Sequence, residues 1–110
     1  MRVVGDPSLR VTGVAYRPGA SGEARQIQAL ERDDVQVLVA GESSEWETVM
    51  YTQDAAEQHR KKALILLGHS TSETDGMQIA ATWLRSLFPG LPVHYVSSGE
   101  PYWLPGHPPQ

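Results

Sequence analysis

An α/β fold, a layered sandwich whose mostly parallel or mixed central sheet is flanked by helices, is the architecture this sequence predicts. Three observations predict it. Two compact apolar runs, "VQVLVA" at 35–40 and "ALILL" at 63–67, have the length and composition of strands buried on both faces. Each is followed by a stretch whose apolar residues recur at helical spacing, and clusters of Pro and Gly separate the periodic segments. Strands alternating with helices of about a dozen residues give a largely parallel sheet.

Taken in order, "LRVTGVAY" at 9–16 is a strand that ends at the turn-forming "RPGASG". Ser21 opens a helix to about Arg32, with Ala24, Ile27 and Leu30 on one face. The strand at 35–40 ends in "GESSE", and a helix follows from Glu45 to about His59, carrying Trp46, Val49, Met50 and Ala56 inward. Its glutamate-rich first turn and the Arg60–Lys62 cluster beyond its end both suit the helix dipole. The strand at 63–67, covered on both faces, places Leu64, Ile65, Leu66 and Leu67 almost wholly out of water. Met77, Ala80, Ala81, Leu84 and Leu87 mark a helix that Pro89-Gly90 terminates, and "PVHYV" at 92–96 is a last strand. Trp46 and Trp83 read as core residues, and His59 and His107 as solvent-facing. Residues 1–98 form one α/β domain, and 99–110 a Pro-rich tail pinned by Tyr102 and Trp103.

Charge and composition narrow the function. With a net charge of −4 and no basic cluster beyond Arg60-Lys61-Lys62, the 110-residue chain has no electrostatic footprint for nucleic acid or anionic lipid. Its apolar runs are far too short to span a bilayer, and its N-terminus lacks the layout of a signal peptide, so the expected location is cytoplasmic. Absence of cysteine removes disulfides, thiolate catalysis and thiolate metal sites together. A metal would be held by His and carboxylate.

In open α/β sheets ligands collect beyond the carboxyl ends of the strands, where "RPGASG", "GESSE" and "GHSTSE" fall. His69 and Glu73, four residues apart, offer an imidazole and a carboxylate suited to zinc, iron or manganese. The same residues also fit a capping box, with Ser70, Ser72 or Thr74 capping the next helix and Glu73 as reciprocal partner. Glu42, Ser44 and Glu45 are candidates for orienting a ligand or contacting substrate, and capping by Ser43 or Ser44 explains them equally. "RPGASG" is a tight turn without the spacing of a P-loop, and no G-x-S-x-G elbow is present.

"VLVAGESSEWETV", "ALILLGHSTSETDGMQIAATWL" and "GLPVHYVSSGEPYW" together resemble the C-terminal half of the Nif-three-like dinuclear metal-centre proteins, also described as type-two GTP cyclohydrolase-like. Gly68, His69, Glu73 and Gly76 stand where that family has its late Gly-His, three residues, Glu, two residues, Gly motif; Gly41, Glu42, Ser44 and Glu45 match the preceding block. The resemblance implies that His69 and Glu73 are ligands of a two-metal centre of divalent ions (zinc, iron, manganese or magnesium), with hydrolase-like, metal-activated water chemistry. It also implies a homo-oligomer, a hexameric toroid in the family. Family members supply a His-His pair and an Asp from an N-terminal half, and no His-His pair occurs here. The expectation is an excised or short natural C-terminal half that shares its site with a missing N-terminal half or another chain. The alternative is a non-catalytic interaction or assembly module of the same fold.

Overall fold

The computed structural model describes residues 1–99, 101–103 and 105–106. Four strands, β1 (Arg2–Val4), β2 (Val14–Arg17), β3 (Val37–Ala40) and β4 (Ala63–Leu66), form one mixed sheet in the order β1-β4-β3-β2. Three helices accompany it: α1 (Glu23–Glu31), α2 (Met50–Glu57), which is entered through a π-helical turn at Glu45–Val49, and α3 (His69–Leu87). This is the predicted α/β layered arrangement. Strands β2, β3 and β4 are parallel and in step, with Arg17, Ala40 and Leu66 in one row, so all three leave the sheet at the same level.

Alternation along those strands sends Leu38, Ala40, Leu64 and Leu66 to one face, where they meet Ala29 and Leu30 of α1. Val49 and Tyr51 pack on the same cluster, so α1 and the α2 unit cover one face together. Leu30, Leu38 and Leu64 are fully buried. Burying each side chain of that size contributes about 2 kcal/mol before entropy is counted.

Several expectations need correction. Ile65 and Leu67 are half-buried, while Leu64 and Leu66 are buried, because α1 and α2 lie on one side of the strand only. The inward residues of α1 are Gln26, Ala29 and Leu30; Ala24 is exposed. Trp46 and Trp83 are 81% and 60% exposed rather than core. The strand expected at 9–16 is confined to Val14–Arg17, and 92–96 forms no strand. The free edge of β4 is instead taken by β1, antiparallel, with Val3 opposite Ile65. Residues 93–98 run beside α3, where the Arg85 guanidinium donates to the Val93 carbonyl at 2.9 Å.

His59 is exposed, as expected, in a left-handed conformation that ends α2. His107 and much of the Pro-rich tail lie outside the described residues. Among the described residues, no helix is long and apolar enough to cross a membrane.

Candidate functional site

Three loops meet at the carboxyl edge of the parallel strands. Ladder-like hydrogen bonds continue past the strand ends: Glu42 N–H donates to Gly19 O at 3.1 Å, and Gly68 N–H to Gly41 O at 2.9 Å. Such close approach requires glycine. A Cβ on Gly41 would stand 2.5 Å from the Gly19 nitrogen and 2.6 Å from Ser72 Oγ, while Gly19, beside the Glu73 carboxylate, holds a left-handed φ of 59° that favours glycine.

α3 begins directly at His69, after Gly68 turns the chain at φ 108°. No side chain caps it, so the capping box is not formed. Ser70, Ser72 and Thr74 lie inside the helix. Ser72 Oγ accepts from Gly19 N–H at 2.9 Å and donates to His69 O at 2.7 Å; Thr74 Oγ donates to Ser70 O at 2.8 Å. The Tyr16 hydroxyl on β2 donates to Ser72 O, tying the first turn of α3 to the sheet. With the backbone helical from His69 onward, the i and i+4 side chains share a face. His69 Nε2 stands 3.1 Å from Glu73 Oε2.

The opposite imidazole nitrogen faces the other loop, with His69 Nδ1 3.3 Å from Glu42 Oε2. Glu42 is positioned by a part-buried polar contact: the Gln26 side-chain amide donates to the Glu42 carbonyl at 2.8 Å. His69 is therefore flanked by two carboxylates, and its side chain, 46% exposed, stays open to solvent.

The other two candidates are engaged elsewhere. Glu45 Oε1 pairs with Arg2 at 2.6 Å, and the Ser44 hydroxyl is given to Glu23. That bond, chiefly, holds the Glu23 carboxyl below the ordinary glutamate range. Ser44 precedes the π-helical turn without capping it through its side chain. The repeated Gly-Glu/His-Ser pattern thus delivers Glu42, His69 and Glu73 to one place, and leaves Ser44 and Glu45 outside it.

A groove of about 600 Å³ adjoins His69 and Glu73, bounded by α3 and residues 93–98. Its outer end carries Ser70, Thr74 and Ser98, and Met77, Ala81 and Leu84 line its apolar part. His94, read from the sequence as a strand residue, lines this groove too. Sequence reasoning also missed Gly19 and Gln26. The only signal for Gln26 is a polar residue three and four positions before Ala29 and Leu30, on the face that they bury.

The residue types suit a metal in one respect. Two donors bound side by side on a first-row cation at about 2.1 Å each lie about 3 Å apart in octahedral and about 3.4 Å apart in tetrahedral coordination, a range that includes the Nε2–Oε2 spacing. A carboxylate on the remaining imidazole nitrogen is the usual companion of a metal-bound histidine, and Glu42 occupies that place. Among the described residues, no group of three His, Asp or Glu side chains is arranged to hold a metal ion. No family model, curated protein or solved structure matches the chain.

Proposed function

We propose that this chain is a metal-site domain of the Nif-three-like kind, contributing His69 and Glu73 as ligands to a divalent-metal centre that it completes together with groups from elsewhere. The observation that carries the reading is the His69 imidazole, placed between Glu73 and Glu42 at the carboxyl edge of three parallel strands. A bound divalent ion would supply water of lowered pKa for attack on an electrophilic carbon or phosphorus. The chain's own residues then have separable tasks.

Nε2 of His69 and the Glu73 carboxylate would hold the ion. Glu42, beside Nδ1, favours the tautomer that keeps its proton there and leaves the Nε2 lone pair free. Tyr16 and Gly19, through Ser72, fix the first helical turn that carries both ligands. The adjoining groove gives a substrate access on the open side of the pair.

Isothermal titration of zinc or manganese into the 110-residue chain and its His69→Ala variant tests the reading. Weak binding of one ion, reduced at least tenfold by the substitution, is the expected outcome, since even the orienting neighbours of ligands are worth roughly 10 to 100-fold. Affinity should rise when the complementary half of a Nif-three-like protein is added. Binding unchanged in His69→Ala would overturn the assignment. Two tightly bound ions per isolated monomer would overturn the shared-site reading.

A further inference from the structure

The groove beside His69 and Glu73 has a shape and a charge pattern that narrow what it can hold. One wall is a stripe of α3, in which Ser70, Glu73, Met77, Ala81 and Leu84 follow one another at steps of three or four residues. The other is the segment 93–98, whose Val93 and Tyr95 are half-buried. Both ends are tied. Arg85 Nε donates to the Val93 carbonyl at 2.9 Å at one end, and the Ser98 hydroxyl donates to Ser70 Oγ at 3.3 Å at the other. From Ser70 to Leu84 the helix rises about 21 Å, so a volume of about 600 Å³ has a cross-section of roughly 30 Å². That is room for a single linear chain.

Polarity changes along this length. Hydroxyls of Ser70, Thr74 and Ser98 stand at the His69 end, and Met77, Ala81 and Leu84 line the rest. Among the described residues no lysine or arginine lines the groove; its titratable side chains are His69, Glu73, Tyr95 and the exposed His94. Phosphate sites are built on such cations. An anionic group entering at the His69 end would instead meet Glu73 and, beyond the imidazole, Glu42. The positive end of the α3 dipole lies there too, and it already faces those two carboxylates.

We propose that the groove is an acyl-chain subsite, and that the substrate class is a neutral carboxylic ester of an unbranched acid, its tail along Met77–Leu84 and its carbonyl beside Ser70, His69 and Glu73. The inference rests on the metal-site reading for its chemistry but not for its binding. Met77 to Leu84 is about 10 Å along the helix, which an alkyl chain of about eight carbons spans. Ser70 Oγ accepts from Ser98 and keeps its own proton for the ester carbonyl oxygen. Hydrolysis adds the oxygen of one water to the carbonyl carbon, breaks the acyl C–O bond and releases the alcohol with a water proton. No other reactant is needed.

The chain has three methionines, and of these Met77 alone lines the groove, so methyl-labelled methionine reports occupancy by NMR with Met1 and Met50 as controls. Methyl butanoate, hexanoate and octanoate titrated into the metal-free chain should shift the Met77 signal alone. Affinity should rise about threefold per methylene, somewhat under the full transfer value because the groove is open on one side. Octyl phosphate, with the same tail, should bind about tenfold more weakly than methyl octanoate. Leu84→Glu, folded by far-UV circular dichroism, should lose the gain from hexanoate to octanoate and keep its affinity for butanoate. Working without metal separates the two readings. Met77 shifts beside a failed zinc titration support the subsite and remove only the metal; intact zinc binding with no Met77 shift overturns the subsite alone. Equal affinity along the ester series, or a Leu84→Glu variant with unchanged chain-length dependence, also overturns it. So does tighter binding of octyl phosphate, which would place a phosphorylated substrate in the groove.

Discussion

The loops after β3 and β4 open alike, with Gly41-Glu42-Ser43-Ser44-Glu45 in one and Gly68-His69-Ser70-Thr71-Ser72-Glu73 in the other, yet their backbones part at the second residue. After β4 the chain turns at Gly68 straight into α3, which makes His69 and Glu73 neighbours one helical turn apart. After β3 it stays extended through Ser44, at φ −69° and ψ 135°, before the π-helical turn begins. Gln26 and Glu23 of α1 hold that extended stretch, so Glu42 projects alone toward His69 while Glu45 swings out to Arg2. Similar residues become a paired site or a single outlying carboxylate according to where the backbone turns. The outside contacts that fix the turn, more than the motif, decide the outcome.

The sharpest way to break this contrast is to push the two loops apart. Gly41→Ala places a methyl 2.5 Å from the Gly19 backbone and should cost about 3 kcal/mol of stability in urea denaturation. Gly76→Ala, with nothing within 4 Å, should instead stabilise the α3 interior by about 1 kcal/mol. Equal effects at the two glycines would mean that the loops are not in contact.

A smaller effect separates the two glutamates of the first loop. If Glu42 orients His69 while Glu45 only pairs with Arg2, Glu42→Gln should weaken zinc binding about tenfold, and Glu45→Gln should leave it unchanged. Competition with a chromogenic chelator measures both.

The smallest effect concerns Glu23, which anchors the extended loop through Ser44. Its carboxyl titrates below the ordinary range because the Ser44 hydroxyl bonds the charged form. The increment of stability is therefore fully present above the ordinary glutamate value and disappears as pH falls through the lowered one. Carboxyl-carbon NMR should show the Glu23 midpoint rising toward the ordinary value in Ser44→Ala.

Strands β3 and β4 were legible because their apolar runs are too short for helices and too continuous for loops. The fate of 92–96 was not, since apolar alternation does not say which segment fills a sheet edge, and the edge of β4 is filled by β1, three residues long, from the N-terminal side of the chain. Periodicity told which residues of α3 share a face but not whether another layer would cover it, which is why Trp83 was misplaced in the core. At the candidate site, His69 and Glu73 were legible as an imidazole and a carboxylate beyond one strand end, and Glu42 as a carboxylate beyond its neighbour. Gly19 was not, because a glycine in a Pro/Gly turn looks the same whether it merely bends the chain or lies beside a carboxylate.

The antiparallel pairing of β1 with β4 also sets a temporal order. Strands β2, β3 and β4 are neighbours in sequence and in space, joined by two local crossovers that can close early. Val3 must find Ile65 across some sixty intervening residues, and the entropy of closing so long a loop is recovered only once β4 already stands in place. Docking of β1 is thus expected late in folding. Until it happens, the main-chain groups along the edge of β4 are open to any other extended chain, so the interval before β1 arrives is the one in which this protein is most exposed to misassembly.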